Sequence, residues 1–167
     1  DTNDEWITAR TGIKKRRILK KEGKATSYLA VNAANNLIKK KKLDPSTIDL
    51  VIVSTITPDF HGASTAPTVA SQINASNAYA FDINAACSGF LFGMSTATSY
   101  IESGRYKKVL LIGADMMSSI VDYTDRSTSI LFGDGAGAVL IEPSDNDYGW
   151  EDEFLRSDGI GAEWLKI

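Results

Sequence analysis

The sequence predicts an α/β layered fold built on a mostly parallel sheet. Short β-branched apolar runs alternate with stretches of helical periodicity, which is the pattern of helices layered on a sheet. The runs are apolar at consecutive positions, as strands covered on both faces are. The composition is that of an ordinary globular domain: 167 residues, 43% hydrophobic, 23% charged and 9% aromatic, with 13 Gly and 4 Pro. Collagen-like, coiled-coil and disordered classes are thereby excluded.

The opening of the chain is basic. Residues 1–42 hold twelve Lys and Arg against Asp1, Asp4, Glu5 and Glu22, a balance of +8, while the remainder carries −11. The cluster Arg10, Lys14, Lys15, Arg16 and Arg17 points to an anionic partner, whereas Lys39–Lys42 suit the negative end of a helix. That helix has Thr26 or Ser27 as its cap and an apolar stripe of Leu29, Ala30, Ala33, Ala34, Leu37 and Ile38, and it stops near Lys42 before Asp44-Pro45. Residues 50–56 form a strand, broken by Thr57-Pro58-Asp59. Ala66, Val69, Ala70 and Ile73 mark a second helix, and residues 78–83 a second strand. Phe90, Leu91, Met94, Ala97, Thr98 and Ile101 give a third helix closing at Ser103-Gly104. Residues 108–114 are another buried strand, followed by a polar loop over 115–129. Ile130-Leu131-Phe132 and a tight glycine turn then lead to a last strand over 138–142. From Pro143 onward the chain is acidic and loop-like.

No run of 18 or more apolar residues is present, and the first residues are acidic, so neither a membrane span nor a signal peptide is expected. One cysteine, Cys87, makes no internal disulfide, and with the single histidine, His61, it builds no thiolate or histidine metal site. A reducing, cytoplasmic setting follows as the expectation.

Cys87 lies in Asn84-Ala85-Ala86-Cys87-Ser88-Gly89-Phe90, between a buried strand and the start of a helix. Unpaired N–H groups there favour an anion, hence the nucleophilic thiolate, and Ala85, Ala86 and Gly89 leave room for a substrate. A lone cysteine also reads as an inert buried one. Histidine is the usual helper, and His61 sits in a loop after Pro58-Asp59. Gly133-Asp134-Gly135-Ala136-Gly137 looks superficially like a phosphate-cradling loop, but a strand follows it where a dinucleotide site needs a helix. Trp6 and Arg10, one turn apart on a helix, either stack on a flat anionic ligand or are a packed tryptophan with a solvated arginine.

Four segments in order carry a resemblance: Asp4-Glu5-Trp6-Ile7 with Arg10-Thr11-Gly12-Ile13, Ala85-Ala86-Cys87-Ser88-Gly89-Phe90, Tyr123-Thr124-Asp125-Arg126, and Phe132-Gly133-Asp134-Gly135-Ala136-Gly137-Ala138. Together the chain resembles the first half of β-ketoacyl-(acyl carrier protein) synthase III, a thiolase-fold condensing enzyme. The resemblance implies a thiolase-like layered fold with a mostly parallel five-stranded sheet flanked by helices. It implies Cys87 as the nucleophile that takes an acyl group from acyl-CoA, its N–H contributing to an oxyanion hole. Trp6 and Arg126 correspond to the pair that sandwiches the adenine, Arg10 to a residue near the phosphates, and Thr2 to a minor adenine contact. Met117 corresponds to an acyl-pocket position. The loop around His61-Gly62 corresponds to one that crosses a dimer interface to close the partner subunit's acyl pocket, with Gly62 where the family usually has a bulky residue. Acyl-CoA and malonyl-acyl carrier protein are the implied substrates, and a homodimer the implied assembly. No permanently bound cofactor, metal or nucleic acid is implied.

The resemblance also has gaps. The family's second half, with its catalytic histidine and asparagine, has no counterpart here, so residues 1–142 read as the N-terminal half and 143–167 as the start of a connection to the other. The family's first strand is also missing. It is expected in the middle of the sheet, between the strands at 50–56 and 108–114, so that a chain without it would lose buried backbone pairing. Other readings are a different thiolase-fold acyl-CoA condensing enzyme, such as a 3-hydroxy-3-methylglutaryl-coenzyme A synthase or a secondary-metabolite initiator, and a noncatalytic thiolase-like binding or dimerisation module. A nucleotide-binding protein built on Gly133–Gly137 is the third.

Overall fold

The computed structural model describes residues 2–146 and 149–164. Its helices are α1 (Asp4–Thr11), α2 (Thr26–Lys41), α3 (Thr65–Gln72), α4 (Gly89–Glu102) and α5 (Arg126–Ser129). Its strands are β1 (Leu50–Ser54), β2 (Tyr79–Ile83), β3 (Val109–Met116) and β4 (Asp134–Ile141). The strands form one sheet in the order β2-β1-β3-β4, with β1 parallel to both neighbours and β4 antiparallel to β3. The sheet is therefore mostly parallel, as expected, with four strands among the described residues. No helix among them is long and apolar enough to cross a membrane.

Side-chain alternation divides the core between two faces. Val51 and Val53 of β1, with Leu110 and Ile112 of β3, pack against Ala30 and Ala34 of α2 and Val69 of α3. Leu50 and Ile52, with Val109 and Leu111, pack against Ala97 of α4 on the other face. Every residue of β1 is buried, which accounts for its unbroken apolar run.

The expected gap between β1 and β3 does not exist. The two strands pair directly from Leu50 opposite Val109 to Ser54 opposite Gly113. An intervening strand would need to break all five of those register pairs, so any fifth strand must join at an edge, beside β2 or β4. The predicted loss of central pairing therefore falls away.

The glycines at 133–137 do not turn between two strands. β4 already begins at Asp134, and Gly135 and Gly137 lie inside it, opposite Asp115 and Gly113. None of them has a positive φ, and the chain reaches them from α5. The cap of α2 also differs. Ala25 is the N-cap without a side-chain bond. The Thr26 hydroxyl donates instead to the Thr57 carbonyl at 2.5 Å, and the Asp59 carboxylate accepts the Ser27 N–H at 2.8 Å from the loop after β1. The basic end of α2 is as expected: Lys42 closes it in the left-handed conformation and Lys39, Lys40 and Lys41 fill the last turn. After β4 the described chain has only a short 3-10 turn, Gly159–Glu163, and carries exposed Phe154, Ile160 and Trp164.

Candidate active site

The site lies where β1 and β3 end and α4 begins. Cys87 sits in a single 3-10 turn, Ala86–Ser88, that runs straight into α4. Ala86 is held at φ +45°, a strained value for a residue with a Cβ, and such strain gathers at functional sites. The thiol is exposed. The Cys87 N–H makes no hydrogen bond among the described residues, so it is free to donate to an incoming oxygen.

Two glycines bring this turn close to the sheet. A Cβ on Gly89 would collide with Ser54 Oγ, and one on Gly93 would stand 2.5 Å from Leu111 Cδ1. One turn apart on α4, they seat the helix against β1 and β3 and so fix the height of Cys87 above the sheet. Gly89 thus serves the helix seat, where the sequence suggested room for substrate.

Cys87 opens on a cavity of about 700 Å³. Met117, Ile120, Phe132 and Ile56 supply its apolar wall, while Gly135 and Gly137 leave the β4 side bare. Met117 is buried and lies against the cavity. Gly62 is exposed in the loop after β1 and is not among the residues of this cavity. His61, exposed in the same loop, does not line it either.

The sequence reading missed two carboxylates. Asp115 lines the cavity, and its Oδ1 accepts the Ile56 N–H at 2.8 Å, the Thr55 hydroxyl at 3.0 Å and the Thr57 hydroxyl at 3.3 Å. The Thr57 hydroxyl also accepts the Met116 N–H at 2.8 Å, so the end of β3 is tied to the segment that follows β1. Asp134 gathers three donors from two other segments. For Asp115 the available signal was a carboxylate inside an otherwise apolar strand, since the threonines it bonds lie far away in sequence.

A second cluster forms at the surface. α1 is capped by Asn3, whose side chain accepts the Trp6 N–H at 2.8 Å, and ends on Gly12 at φ +72°. It sets Trp6 and Arg10 one turn apart, with the Arg10 guanidinium carbon 4.1 Å from the Trp6 ring centroid. Arg126, at the start of α5, brings its guanidinium carbon to 5.1 Å from the same ring. Asp125 caps α5 by accepting the Ser127 N–H at 2.8 Å and hydroxyl at 2.7 Å. Those bonds hold its carboxyl below the ordinary carboxylate value, the hydroxyl contributing most. Thr2 is exposed, directly ahead of the Asn3 cap of α1.

The family model for 3-oxoacyl-[acyl-carrier-protein (ACP)] synthase III matches residues 81–159. Beta-ketoacyl-[acyl-carrier-protein] synthase III 2 of Bacteroides thetaiotaomicron is 53% identical over 167 residues, all of this chain and 50% of that protein. The chain belongs to the β-ketoacyl-[acyl-carrier-protein] synthase III family. The synthase III of Chlorobium chlorochromatii is 58% identical over 163 residues, 97% of this chain and 50% of that one. The crystal structure of the synthase III of Thermus thermophilus superposes with a TM-score of 0.89 at 40% identity, over 98% of this chain and 50% of that one. The chain thus spans about half the length of the synthase III relatives it matches.

Proposed function

We propose that the complete protein is an acyltransferase that starts fatty-acid synthesis by condensing acetyl-CoA with malonyl-acyl carrier protein, and that this chain supplies the nucleophile and the coenzyme A clamp. One observation carries the reading: an exposed cysteine at a helix N-terminus, with a free N–H, opens on an apolar cavity of about 700 Å³. The chemistry follows from it. Cys87 Sγ, as thiolate, attacks the thioester carbonyl while the Cys87 N–H stabilises the oxyanion. The carbon–sulfur bond to coenzyme A breaks, and its thiol leaves with the proton that Cys87 gave up. In the second step the malonyl group loses CO2, and the resulting carbanion attacks the acyl carbon and releases Cys87 as thiolate. By the resemblance that step uses the histidine and asparagine of the family's other half.

In this reading Trp6 and Arg126 hold the adenine, Arg10 meets the phosphates and Thr2 makes a minor adenine contact. Met117 bounds the acyl chain. The loop carrying Gly62 closes the partner subunit's pocket in a cytoplasmic homodimer. Residues 143–167 lead toward the other half, and the exposure of Phe154, Ile160 and Trp164 supports a further surface packing there.

The test is covalent. Acetyl-CoA added to the full-length protein should add one acetyl group, which peptide mapping finds on Cys87, and Cys87→Ser should lower acetylation by roughly a thousandfold or more. Label on another residue, or undiminished in the serine variant, would sink the assignment.

A further inference from the structure

The carboxylate of Asp134, at the first position of β4, makes every one of its described hydrogen bonds to two other segments. Its Oδ1 accepts the Ser118 N–H at 2.8 Å, and its Oδ2 accepts the Ser118 hydroxyl at 2.7 Å. Ser118 directly follows Met117, which walls the Cys87 cavity. Its Oδ2 also accepts the Leu19 N–H at 2.7 Å, and its own N–H donates to the Arg17 carbonyl at 2.7 Å. Arg17 and Leu19 belong to the extended stretch that leads away from α1, the helix of Trp6 and Arg10.

That stretch is fixed at two further points. A Cβ on Gly133 would stand 3.1 Å from the Arg17 carbonyl oxygen and 3.3 Å from Arg16 Cβ, so the backbone lies directly on Gly133, itself a cavity residue. Arg16 Nε donates to the Ile130 carbonyl at 2.9 Å, immediately after α5, the helix of Arg126. Residues 16–19 are therefore a strut with both clamp helices at one end and the cavity wall at the other.

We infer that Asp134 is a positioning residue that holds the Trp6–Arg126 clamp in register with the Cys87 cavity, so that binding of the coenzyme A nucleotide is spent on placing the thioester at the thiol. The inference rests on the acyl-CoA reading of the site. The nucleotide lies far from the reacting carbonyl, and remote contacts accelerate a reaction only when the groups that make them are rigidly placed relative to the reacting atoms. A carboxylate bonded to both segments supplies that rigidity.

The experiment compares two acyl donors on the full-length protein: acetyl-CoA, and S-acetylpantetheine, which has the same thioester without the nucleotide. Acetylation kinetics at Cys87 are measured for the parent, Asp134→Ala, Asp134→Asn and Ser118→Ala, with thermal midpoints recorded for each. In Asp134→Ala, kcat/KM with acetyl-CoA should fall roughly tenfold or more while that with acetylpantetheine stays within about threefold. Asp134→Asn, which leaves the Leu19 N–H facing an amide, should lower the same ratio by a smaller factor. Ser118→Ala removes one bond and should lower the ratio about two- to threefold, and with the asparagine variant it decides the matter if the alanine protein does not fold. Proportional loss with both donors, or no change with either, would overturn the inference and leave Asp134 a structural residue. A parent protein that neither donor acetylates would instead remove the acyl-CoA reading itself.

Discussion

Cys87 stands on the core, and Trp6 stands off it. The cysteine's turn rests on β1, buried along its whole length, and on α4, whose Gly89 and Gly93 are drawn against the sheet. Trp6, Arg10 and Arg126 belong to helices of eight and four residues that bury no residue completely. Packing sets the first region, and caps with cation–π contacts set the second. Damage to the first should therefore cost stability along with activity, and damage to the second should cost affinity alone.

Five substitutions probe that division, beginning with the largest effect. Gly89→Val places a branched side chain where even a Cβ meets Ser54 Oγ, and the full-length protein should lose about 3 kcal/mol or more of stability. A parental midpoint in thermal unfolding would break the claim that α4 is seated by packing. Asp115→Ala strands the Ile56 N–H and the Thr55 and Thr57 hydroxyls under the cavity. It should cost about 1–3 kcal/mol, read by urea denaturation.

On the clamp side, Trp6→Ala and Arg126→Ala should each weaken coenzyme A by about 1–2 kcal/mol in calorimetry, with the ligand-free thermal midpoint unmoved. Loss of stability equal to the loss of affinity would merge the two regions into one. The smallest effect belongs to Asp125. Its carboxyl is held below the ordinary value by the Ser127 hydroxyl and N–H, so its capping of α5 is complete above that value and is lost as pH falls through the depressed one. Titration of this cap should thus add no pH dependence to coenzyme A affinity from about pH 5 to 8. Asp125→Ala should give a small, pH-independent weakening across that window.

The same division governs what could be read from the sequence. β1 and β3 were legible because strands covered on both faces become unbroken β-branched runs, and α2 because its alanine stripe repeats at helical spacing. The start of β4 was not, because Gly135, Ala136 and Gly137 carry no strand signal and are held by their register with β3. Asp59 was missed as the cap of α2, since the donor it satisfies lies on a helix well before it in the chain. Asp134 was missed in the same way, for its partners Leu19 and Ser118 come together only in the fold. The resemblance joined Trp6 to Arg126, and periodicity had no means to do so. It also misplaced the absent strand, which direct pairing of β1 with β3 excludes from the centre of the sheet.

The most direct measurement is a crystal structure of the full-length protein with coenzyme A bound. The expected result is adenine stacked at Trp6 beside Arg126, with the pantetheine arm running to the cavity so that its sulfur lies against Cys87 Sγ. Adenine bound elsewhere, or an arm that does not enter the Cys87 cavity, would contradict the division of one substrate between the core-built site and the surface clamp.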